Sequence, residues 1–369
     1  MVLDPAAPLI PDYAGGCVSN LLPVLLGPDP QPPAWMPSLA FGARQIVLLV
    51  LDGLGWLQFQ QHRALVPTLA SMTGGPIDTV APTTTATALT SITTGTAPGE
   101  HGVMGYRIEV QGEVLNVLRW STPAGDARRR VPPRQFQPVP AFLGATVPVV
   151  SRAEFDGSGF SLAHLAGTKH VGWRMPSTMV VEVARVLREG EPFVYAYYDG
   201  LDKVAHEYGL GAAYAAELHA IDGLVADLLA VLPADVALVI TADHGQVDVG
   251  PHTVPLDPSV RGLVRLQSGE ARFRWLHALA GSADDLLAAA TEAHGADAWV
   301  CSREQVLQEG WFGPRVQARA SARLGDVALV SRALVSFDDP ADSGPFRLVS
   351  RHGSLTEAEV RVPLLVART

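Results

Sequence analysis

The sequence has very little cysteine and no long hydrophobic run. Its 369 residues include two cysteines, Cys17 and Cys301, which are too far apart to form a CxxC pair. A disulfide scaffold and a cysteine-based zinc site are therefore excluded. The longest strand-like apolar run, at 46–51, ends at Asp52, far short of the roughly 18 residues of a membrane span. Because the first residues carry no basic region before an apolar stretch, we expect no secretory signal and a soluble, cytoplasmic protein.

Basic residues are also scarce. The chain has 27 lysines and arginines against 37 aspartates and glutamates, which gives a net charge of −10. Such a balance provides no broad basic face for duplex DNA or RNA, so a duplex-binding protein is excluded. A small phosphate substrate remains compatible, because bound cations can reverse the local field. Hydrophobic residues make up 48% of the chain, enough for a sizeable core.

Three continuous apolar runs, at 46–51, 193–198 and 236–240, are typical of buried parallel strands. Between the last two, apolar residues recur at spacings of three and four over 214–232, which predicts an amphipathic helix. Strand, helix and strand at this scale form a βαβ unit. We therefore predict an α/β fold with a doubly wound, mostly parallel sheet flanked by helices.

Two segments fit this pattern poorly. Residues 106–150 and 249–345 mix loops and short strands, with one predicted helix around Asp284–His294 in the second segment. We predict one catalytic domain over 1–369, in which these segments form a lid or inserted subdomains.

Each apolar run ends in side chains that can bind a metal. Ligands of open α/β sheets bind beyond the carboxyl ends of the strands, so these side chains are expected to converge. The residues are Asp52, then Asp199, Asp202 and His206, then Asp243 and His244, with the late, glycine-flanked His352 as a further candidate. A single aspartate at a strand end more often caps a helix or turn, but the joint occurrence favours a metal site. Carboxylates and imidazoles in this ratio suit zinc or manganese.

A run rich in hydroxyl side chains at 82–95 predicts a short helix with a threonine N-cap and a stop at Gly95. Helix N-termini attract anions. A threonine held there against a metal would be a nucleophile aimed at phosphorus. From the residues alone, Thr83, Thr84 and Thr85 cannot be told apart in this role.

In order and spacing, these pieces resemble the alkaline phosphatase superfamily, and within it the nucleotide pyrophosphatase/phosphodiesterase (type I phosphodiesterase) family. The resemblance runs from Ile46 to His352. Its pieces are VLDGLG at 50–55, TGTAPGEHG at 94–102 (similar to the family's TGxxPxxHG), DxxxH at 202–206, DHG at 243–245 and HG at 352–353.

The resemblance implies two divalent metal ions and a role for each matching residue. One ion would be held by Asp52, Thr85, Asp243 and His244, and the other by Asp202, His206 and His352. The family's nucleophile lies ten residues before the helix-ending glycine, which selects Thr85, with Thr84 as the fallback. Asp199 would then have a structural role or would contact the metal-binding side chains without binding metal itself.

One departure from the family concerns substrate binding. Vertebrate-type members carry an asparagine five residues after the motif histidine, where it contacts the substrate phosphate. Here that position is Tyr106. We expect Tyr106 itself or the Thr85 backbone N–H to supply the contact, so those members do not define the substrate preference.

The resemblance implies a phosphodiesterase that cleaves small nucleotides through a phospho-threonine intermediate. The composition is similar to actinobacterial members, some of which hydrolyse cyclic di-AMP, and that dinucleotide is the leading substrate hypothesis. The arginines at 119–134 would then bind a second phosphate or the base, unless they form a solvated loop. The alternatives are a phosphomonoesterase, a phosphonoacetate hydrolase or a non-catalytic nucleotide sensor. A sulfatase is disfavoured because neither cysteine lies in a CxPxR context. The oligomeric state stays open.

Overall fold

Strands and helices alternate along most of the chain. The computed structural model describes residues 7–27, 32–342 and 348–369. The strands are β1 (Gln45–Leu51), β2 (Thr73–Asp78), β3 (Arg107–Val110), β4 (Glu113–Asn116), β5 (Ser121–Thr122), β6 (Gly125–Asp126), β7 (Pro148–Arg152), β8 (Lys169–Trp173), β9 (Phe193–Tyr198), β10 (Val236–Thr241), β11 (Val247–Asp248), β12 (Thr253–Val254), β13 (Val264–Glu270), β14 (Phe273–Ala278), β15 (Ala298–Ser302), β16 (Val327–Ser331), β17 (Ser336–Phe337), β18 (Ser350–Arg351) and β19 (Arg361–Arg368). The helices are α1 (Leu21–Leu26), α2 (Trp56–Gln61), α3 (Pro67–Ser71), α4 (Thr85–Thr94), α5 (Pro98–His101), α6 (Pro133–Phe136), α7 (Gly159–His164), α8 (Pro176–Arg188), α9 (Gly200–Tyr208), α10 (Ala212–Val231), α11 (Pro258–Arg261), α12 (Ala283–His294), α13 (Arg303–Gln308), α14 (Ala318–Ser321) and α15 (Glu357–Val360).

A seven-stranded sheet in the order β2-β19-β10-β1-β9-β7-β8 carries the main core. The five strands from β10 to β8 are parallel, and β19 pairs antiparallel with both β10 and β2. The three predicted apolar strands correspond to β1, β9 and β10, whose side chains are buried almost throughout. Burial on both faces explains why these strands read as unbroken apolar runs. The predicted doubly wound, mostly parallel α/β fold is confirmed.

The carboxyl ends of these three strands lie side by side. In the paired registers, Leu51 of β1 faces Tyr198 of β9, and Val50 of β1 faces Thr241 of β10. The residues that follow each strand therefore emerge at one edge of the sheet. The predicted helix at 214–232 corresponds to α10, which connects β9 to β10 after α9.

The two unusual segments form small antiparallel sheets. Within 106–150, strands β3 to β6 make a four-stranded sheet, but the last three residues belong to β7 of the central sheet, so the predicted boundary extends too far. Within 249–345, strands β13, β14, β16 and β15 make a second four-stranded sheet. It packs against α12, the helix predicted around Asp284–His294, over a separate hydrophobic cluster. Residues 343–345 lie outside the described residues.

No described helix combines the length and the apolar character that a membrane crossing requires. A lid function for either small sheet stays a prediction.

Candidate active site

The threonine-rich segment forms α4, which begins at Thr85 and ends before Gly95 in the left-handed conformation (φ 68°). The predicted glycine stop is therefore present. The predicted hydroxyl cap is not, because the Thr84 side chain caps no backbone N–H. It lies close to the buried carboxyl group of Glu270 instead.

The three threonine hydroxyls that the sequence could not separate point to three different partners. The Thr83 hydroxyl donates to the backbone carbonyl of Ser354 at 2.8 Å, within the core. That of Thr84 contacts Glu270. The hydroxyl of Thr85 lies 3.1 Å from Nε2 of His244. Only Thr85 therefore joins the cluster of predicted metal ligands directly.

Asp52, Asp243 and His244 bring their ligand atoms together beside Thr85, all within 4.8 Å of one another. Nε2 of His244 lies 3.5 Å from Oδ1 of Asp52 and 3.4 Å from Oδ2 of Asp243. All three side chains are almost completely buried. Asp52 follows β1 directly, and Asp243 follows β10 after one residue, so the strand ends place them as predicted.

The two carboxylate oxygens that face His244 fit a bound cation. Among the described residues, neither Oδ1 of Asp52 nor Oδ2 of Asp243 has a hydrogen-bond partner. A buried carboxylate oxygen without a donor is unfavourable unless a cation compensates it. Oxygen and imidazole ligands are those that zinc and manganese take. The residues therefore fit a divalent metal ion.

A second group continues from the first. Asp202, His244 and His352 also bring their ligand atoms within 4.8 Å of one another. His206, one turn after Asp202 on α9, places its Nε2 3.4 Å from Oδ1 of Asp202. The rings of His244 and His352 stack with centroids 3.6 Å apart, and the His206 ring lies 5.1 Å from that of His352. The structure thus brings all six predicted ligands and Thr85 into one contiguous cluster, in which His244 belongs to both groups.

Side chains that the sequence analysis did not single out hold several of these ligands. The Tyr197 hydroxyl donates to Oδ2 of Asp52. Nε2 of Gln246 donates to Oδ1 of Asp202 at 2.8 Å. Tyr197 lies in an apolar strand, so the sequence does not mark it as a site residue. Gln246 directly follows the DHG motif, and this proximity is its only signal in the sequence. Such outer contacts fix the orientation of the metal ligands.

Backbone groups hold the histidines. Nδ1 of His206 donates to the carbonyl of Ser350 at 2.7 Å, and Nδ1 of His352 donates to that of Thr83 at 2.8 Å. In both residues Nε2 is then the nitrogen that is free to bind a metal. Both Nε2 atoms approach Asp202, at 3.4 Å and 3.9 Å.

The electrostatics of the cluster favour a cation. Burial raises the pKa of Asp52, Asp202 and Asp243, and repulsion by Asp243 raises that of Asp52 further. Burial also lowers the pKa of His244 and His352 below its ordinary value. Without a cation, the protein environment thus disfavours the charged forms of these three carboxyl groups and two imidazoles. A divalent ion reverses this for the carboxylates and binds the imidazoles in their neutral form.

Two motif glycines allow the close packing around these ligands. Gly53 has φ 77°, and a Cβ there would lie 2.3 Å from Nε2 of Gln246. Its N–H donates to Oδ1 of Asp243 at 3.0 Å. Gly353 has φ 124°, and a Cβ there would lie 2.7 Å from Cγ of Glu270. A side chain at either position would force one of these neighbours to shift.

The motif histidine His101 lies away from the cluster. The Val103 N–H donates to its Nδ1 at 3.0 Å, so Nε2 carries the proton and donates to Oγ of Ser91 in α4 at 2.8 Å. Burial lowers the pKa of His101 to about 3. The motif therefore connects α4 to α5 through a neutral histidine.

Asp199 makes ion pairs with Arg152 and Lys203, at 2.6 Å and 2.5 Å, and belongs to neither metal-binding group. This geometry agrees with a structural role. Of the arginines at 119–134, Arg119 lines a cavity beside the cluster.

Two cavities border Thr85. The first, which we call the apolar cavity, has a volume of about 290 Å³; its lining includes Leu89, Phe155 and Phe160, and also the ion-paired Asp199 and Lys203. The second, the polar cavity, has a volume of about 460 Å³, and its lining includes Tyr106, Arg119, Glu270, Asp342 and Arg351. Together they provide a small-molecule site next to Thr85.

Fold and site define an α/β protein with candidate sites for divalent metal ions at the carboxyl ends of its central strands. The sequence profile of the type I phosphodiesterase / nucleotide pyrophosphatase family matches residues 46–183 and 168–354. The chain belongs to this family. No curated protein sequence matches the chain.

Solved structures share the fold at low sequence identity. Murine ectonucleotide pyrophosphatase / phosphodiesterase 5 is 13% identical, with a TM-score of 0.66 and 87% of each chain covered. An inactive form of that protein in complex with AMP matches at 13% identity, with a TM-score of 0.67 and the same coverage. Phosphonoacetate hydrolase from Sinorhizobium meliloti 1021 is 18% identical, with a TM-score of 0.62, and 89% of this chain and 91% of that chain are covered.

Proposed function

We propose that this protein is a two-metal phosphodiesterase that hydrolyses nucleotide phosphodiesters with Thr85 as its nucleophile. The observation that carries the proposal is the position of the Thr85 hydroxyl. It lies 3.1 Å from Nε2 of His244, at the start of α4, where the two cavities meet. A phosphodiester at this point would have its phosphorus beside the hydroxyl and one ester group in each cavity.

The ligand set follows the grouping in the structure and the family resemblance. Asp52, Asp243 and His244, with Thr85, would hold one ion. A second set, Asp202, His206 and His352, would hold the other. Zinc and manganese are the metals that this mixture of carboxylates and imidazoles favours. When bound, such ions would lower the pKa of the threonine hydroxyl and neutralise charge on the phosphate.

The residues of the chain supply the other parts of the reaction. Oγ1 of Thr85 loses its proton to solvent and forms a bond to phosphorus as the bond from phosphorus to the departing ester oxygen breaks. The departing oxygen takes up a proton from solvent, and a phospho-threonine that keeps the other ester group remains. Water then attacks the same phosphorus, its bond to Oγ1 breaks, Oγ1 takes up the proton that the water gives up, and the nucleotide is released. The free N–H groups at the start of α4 and the Tyr106 hydroxyl are the donors we assign to the non-bridging oxygens.

Cyclic di-AMP, together with its linear dinucleotide, is the specific substrate we propose. The two cavities support a substrate with a nucleoside on each side of the phosphodiester. AMP bound to murine ectonucleotide pyrophosphatase / phosphodiesterase 5, which has the same fold, supports a nucleotide. A cytoplasmic location, where such a messenger would be met, belongs to the same proposal.

The test follows hydrolysis of bis-p-nitrophenyl phosphate, p-nitrophenyl phosphate, phosphonoacetate and cyclic di-AMP in parallel, with Mn²⁺ or Zn²⁺ added. Thr85→Ala and Asp243→Asn should abolish turnover, whereas Thr84→Ala should retain most of it. We expect both diesters to be cleaved faster than the monoester. Monoester or phosphonoacetate preference would identify the alternative hydrolases, binding of cyclic di-AMP without turnover would identify a sensor, and wild-type rates for Thr85→Ala would refute the nucleophile.

A further inference from the structure

The polar cavity lies next to the reacting group, and the assignment made here rests on the proposed function. Thr85, Leu118 and Asp202 line both cavities, so the two spaces meet at the hydroxyl. Under the proposed function, a diester bound there has one ester group in the apolar cavity, where the cation Lys203 is already paired with Asp199. The other ester group then enters the polar cavity, where it meets Arg119 and Arg351.

Arg119 is the cation of the 119–134 segment that reaches this cavity. Two other arginines of the segment are engaged on the surface, Arg128 with Asp126 at 2.5 Å and Arg130 with Glu113 at 2.9 Å. The guanidinium of Arg119 makes no hydrogen bond or ion pair with the described residues. An arginine that lines a cavity without a protein partner is available to a ligand anion.

The backbone of Arg119 is held firmly although its side chain is exposed. Oδ1 of Asn116 accepts from the Arg119 N–H at 3.0 Å, which fixes the orientation of the amide. Nδ2 of Asn116 must then be the group that donates to the Tyr106 hydroxyl, at 2.6 Å. The next residue, Trp120, is buried at φ 53°, and its Nε1 donates to the carbonyl of Val131 at 2.8 Å.

The acidic side chains of the polar cavity have cations or a hydroxyl of their own. Oδ2 of Asp342 lies 3.8 Å from both Arg107 and Arg274, so two buried guanidinium groups balance its charge. Glu270 lies close to the Thr84 hydroxyl and 4.0 Å from His352. Arg119 lies on the turn that follows β4, where its charge and that of Asp342 both act on Tyr106. Since Arg107 and Arg274 counter the charge of Asp342, the guanidinium of Arg119 remains for a ligand anion.

We propose that Arg119 binds a second phosphate, carried by the half of the substrate that departs into the polar cavity. The enzyme therefore selects dinucleotides that bear a phosphate on this half over diesters that end in an unphosphorylated nucleoside. Bidentate pairing of a guanidinium with a phosphate supplies both the affinity and the direction of binding.

The test uses two substrates that differ by one phosphate, the linear dinucleotide pApA and the dinucleoside monophosphate ApA. For the wild type we expect kcat/KM to be higher for pApA. A charge-assisted hydrogen bond predicts that Arg119→Ala lowers kcat/KM for pApA by about 10- to 100-fold, mostly through KM. The value for ApA should stay within about twofold. Arg119→Lys should retain part of the preference, and the exposed Arg129→Ala serves as the matched control.

An equal loss for both substrates, or no loss for either, overturns the assignment of Arg119. Binding by the Thr85→Ala protein, measured by calorimetry with each substrate, separates this result from a failure of the proposed function. If no diester is cleaved but Arg119→Ala in that background still removes the preference for pApA, the phosphate site stands and the phosphodiesterase does not. If cleavage occurs and both substrates bind alike, the phosphodiesterase stands and the phosphate site is refuted.

Discussion

Replacing Tyr197 with phenylalanine should weaken metal binding without disturbing the fold. The hydroxyl of Tyr197 donates to Oδ2 of Asp52, while Oδ1 of Asp52 faces His244 and has no partner among the described residues. Tyr197→Phe keeps the ring in its buried position in β9 and removes only that donor. The expected change is therefore in the orientation and basicity of one metal ligand.

The size of the effect follows from the hydrogen bond that is lost. A hydrogen bond to a charged acceptor contributes about 1.5–3 kcal/mol, and loss of an outer contact typically lowers metal affinity about 10- to 100-fold. The donated hydrogen bond also lowers the pKa of Asp52, against the larger effect of burial. Without it that pKa rises, so protons compete more strongly with the metal. The loss of affinity should consequently be larger at about pH 6 than at about pH 8.

Tyr195→Phe is the matched control. Tyr195 lies in the same strand and is equally buried, but its hydroxyl has no hydrogen-bond partner among the described residues. Its removal should leave metal affinity within about twofold. Competitive titration of Mn²⁺ or Zn²⁺ against a chromophoric chelator, with circular dichroism as a check on folding, gives the comparison. Equal affinities for the two variants would show that the Tyr197 hydroxyl does not support a metal ligand.

Three further predictions concern stability and packing. Glu359→Gln breaks the buried ion pair with Arg272 and should lower the free energy of unfolding, measured in urea, by about 3–5 kcal/mol. The control Glu357→Gln, at an exposed position, should lower it little. Similar losses for the two variants would contradict a stabilising role of the pair. His101 has its pKa lowered from 6.5 to about 3 by burial, so its neutral form stabilises the fold above pH 6.5 and this contribution is lost on acidification. His101→Asn should reduce the fall in unfolding free energy between about pH 7.5 and 5.5 by about 1.4 kcal/mol, and an unchanged fall would refute the buried neutral histidine. Gly53→Ala should lower metal affinity at least about tenfold in the same titration, because φ is 77° and the new Cβ lies 2.3 Å from a side-chain nitrogen. Gly223→Ala, in α10 with open space around it, should bind metal normally, and equal binding by both variants would show that the glycine is not needed.

The central strands and the ligand positions were predictable because one physical rule governs both. A parallel strand buried on both faces must be apolar throughout, so β1, β9 and β10 stand out, and the residues after them must meet at one edge. This rule predicts that Asp52 and Asp243 lie close together, and helical spacing predicts that Asp202 and His206 share one face of a helix. The place of β19 between β2 and β10 was not predictable, since its pairing depends on contacts across the whole chain.

The finer features of the site depend on contacts between distant segments. Thr84 and Thr85 are the same residue type at the start of the same helix. What separates them is Glu270, from one distant hairpin, and His244, from the loop after β10. The support that Asp52 receives from Tyr197 was hidden for a similar reason, because a tyrosine in an apolar strand reads as core. In the arginine-rich segment the sequence offers several equivalent candidates for binding a phosphate. The fold distinguishes them, because the turn after β4 brings Arg119 to a cavity.

The hairpin between β13 and β14 carries an arginine, Arg272, that pairs with a buried carboxylate outside the small sheet. The guanidinium of Arg272 is buried at the hairpin turn and makes two hydrogen bonds to the carboxylate of Glu359, at 2.8 Å and 2.9 Å. It also donates to the backbone carbonyls of Ala333 and Val335, in the loop between β16 and β17, at 2.9 Å and 2.6 Å. The same carboxylate accepts from the N–H of Ser354, two residues after His352.

This shared pair limits how the small sheet can be exchanged in chimaeras. A replacement segment that lacks an arginine at the turn would leave Glu359 charged and unpaired in the core, next to the loop that presents His352. Grafts intended to alter specificity must therefore transfer the arginine with the hairpin, or replace both members of the pair by apolar residues of matching volume.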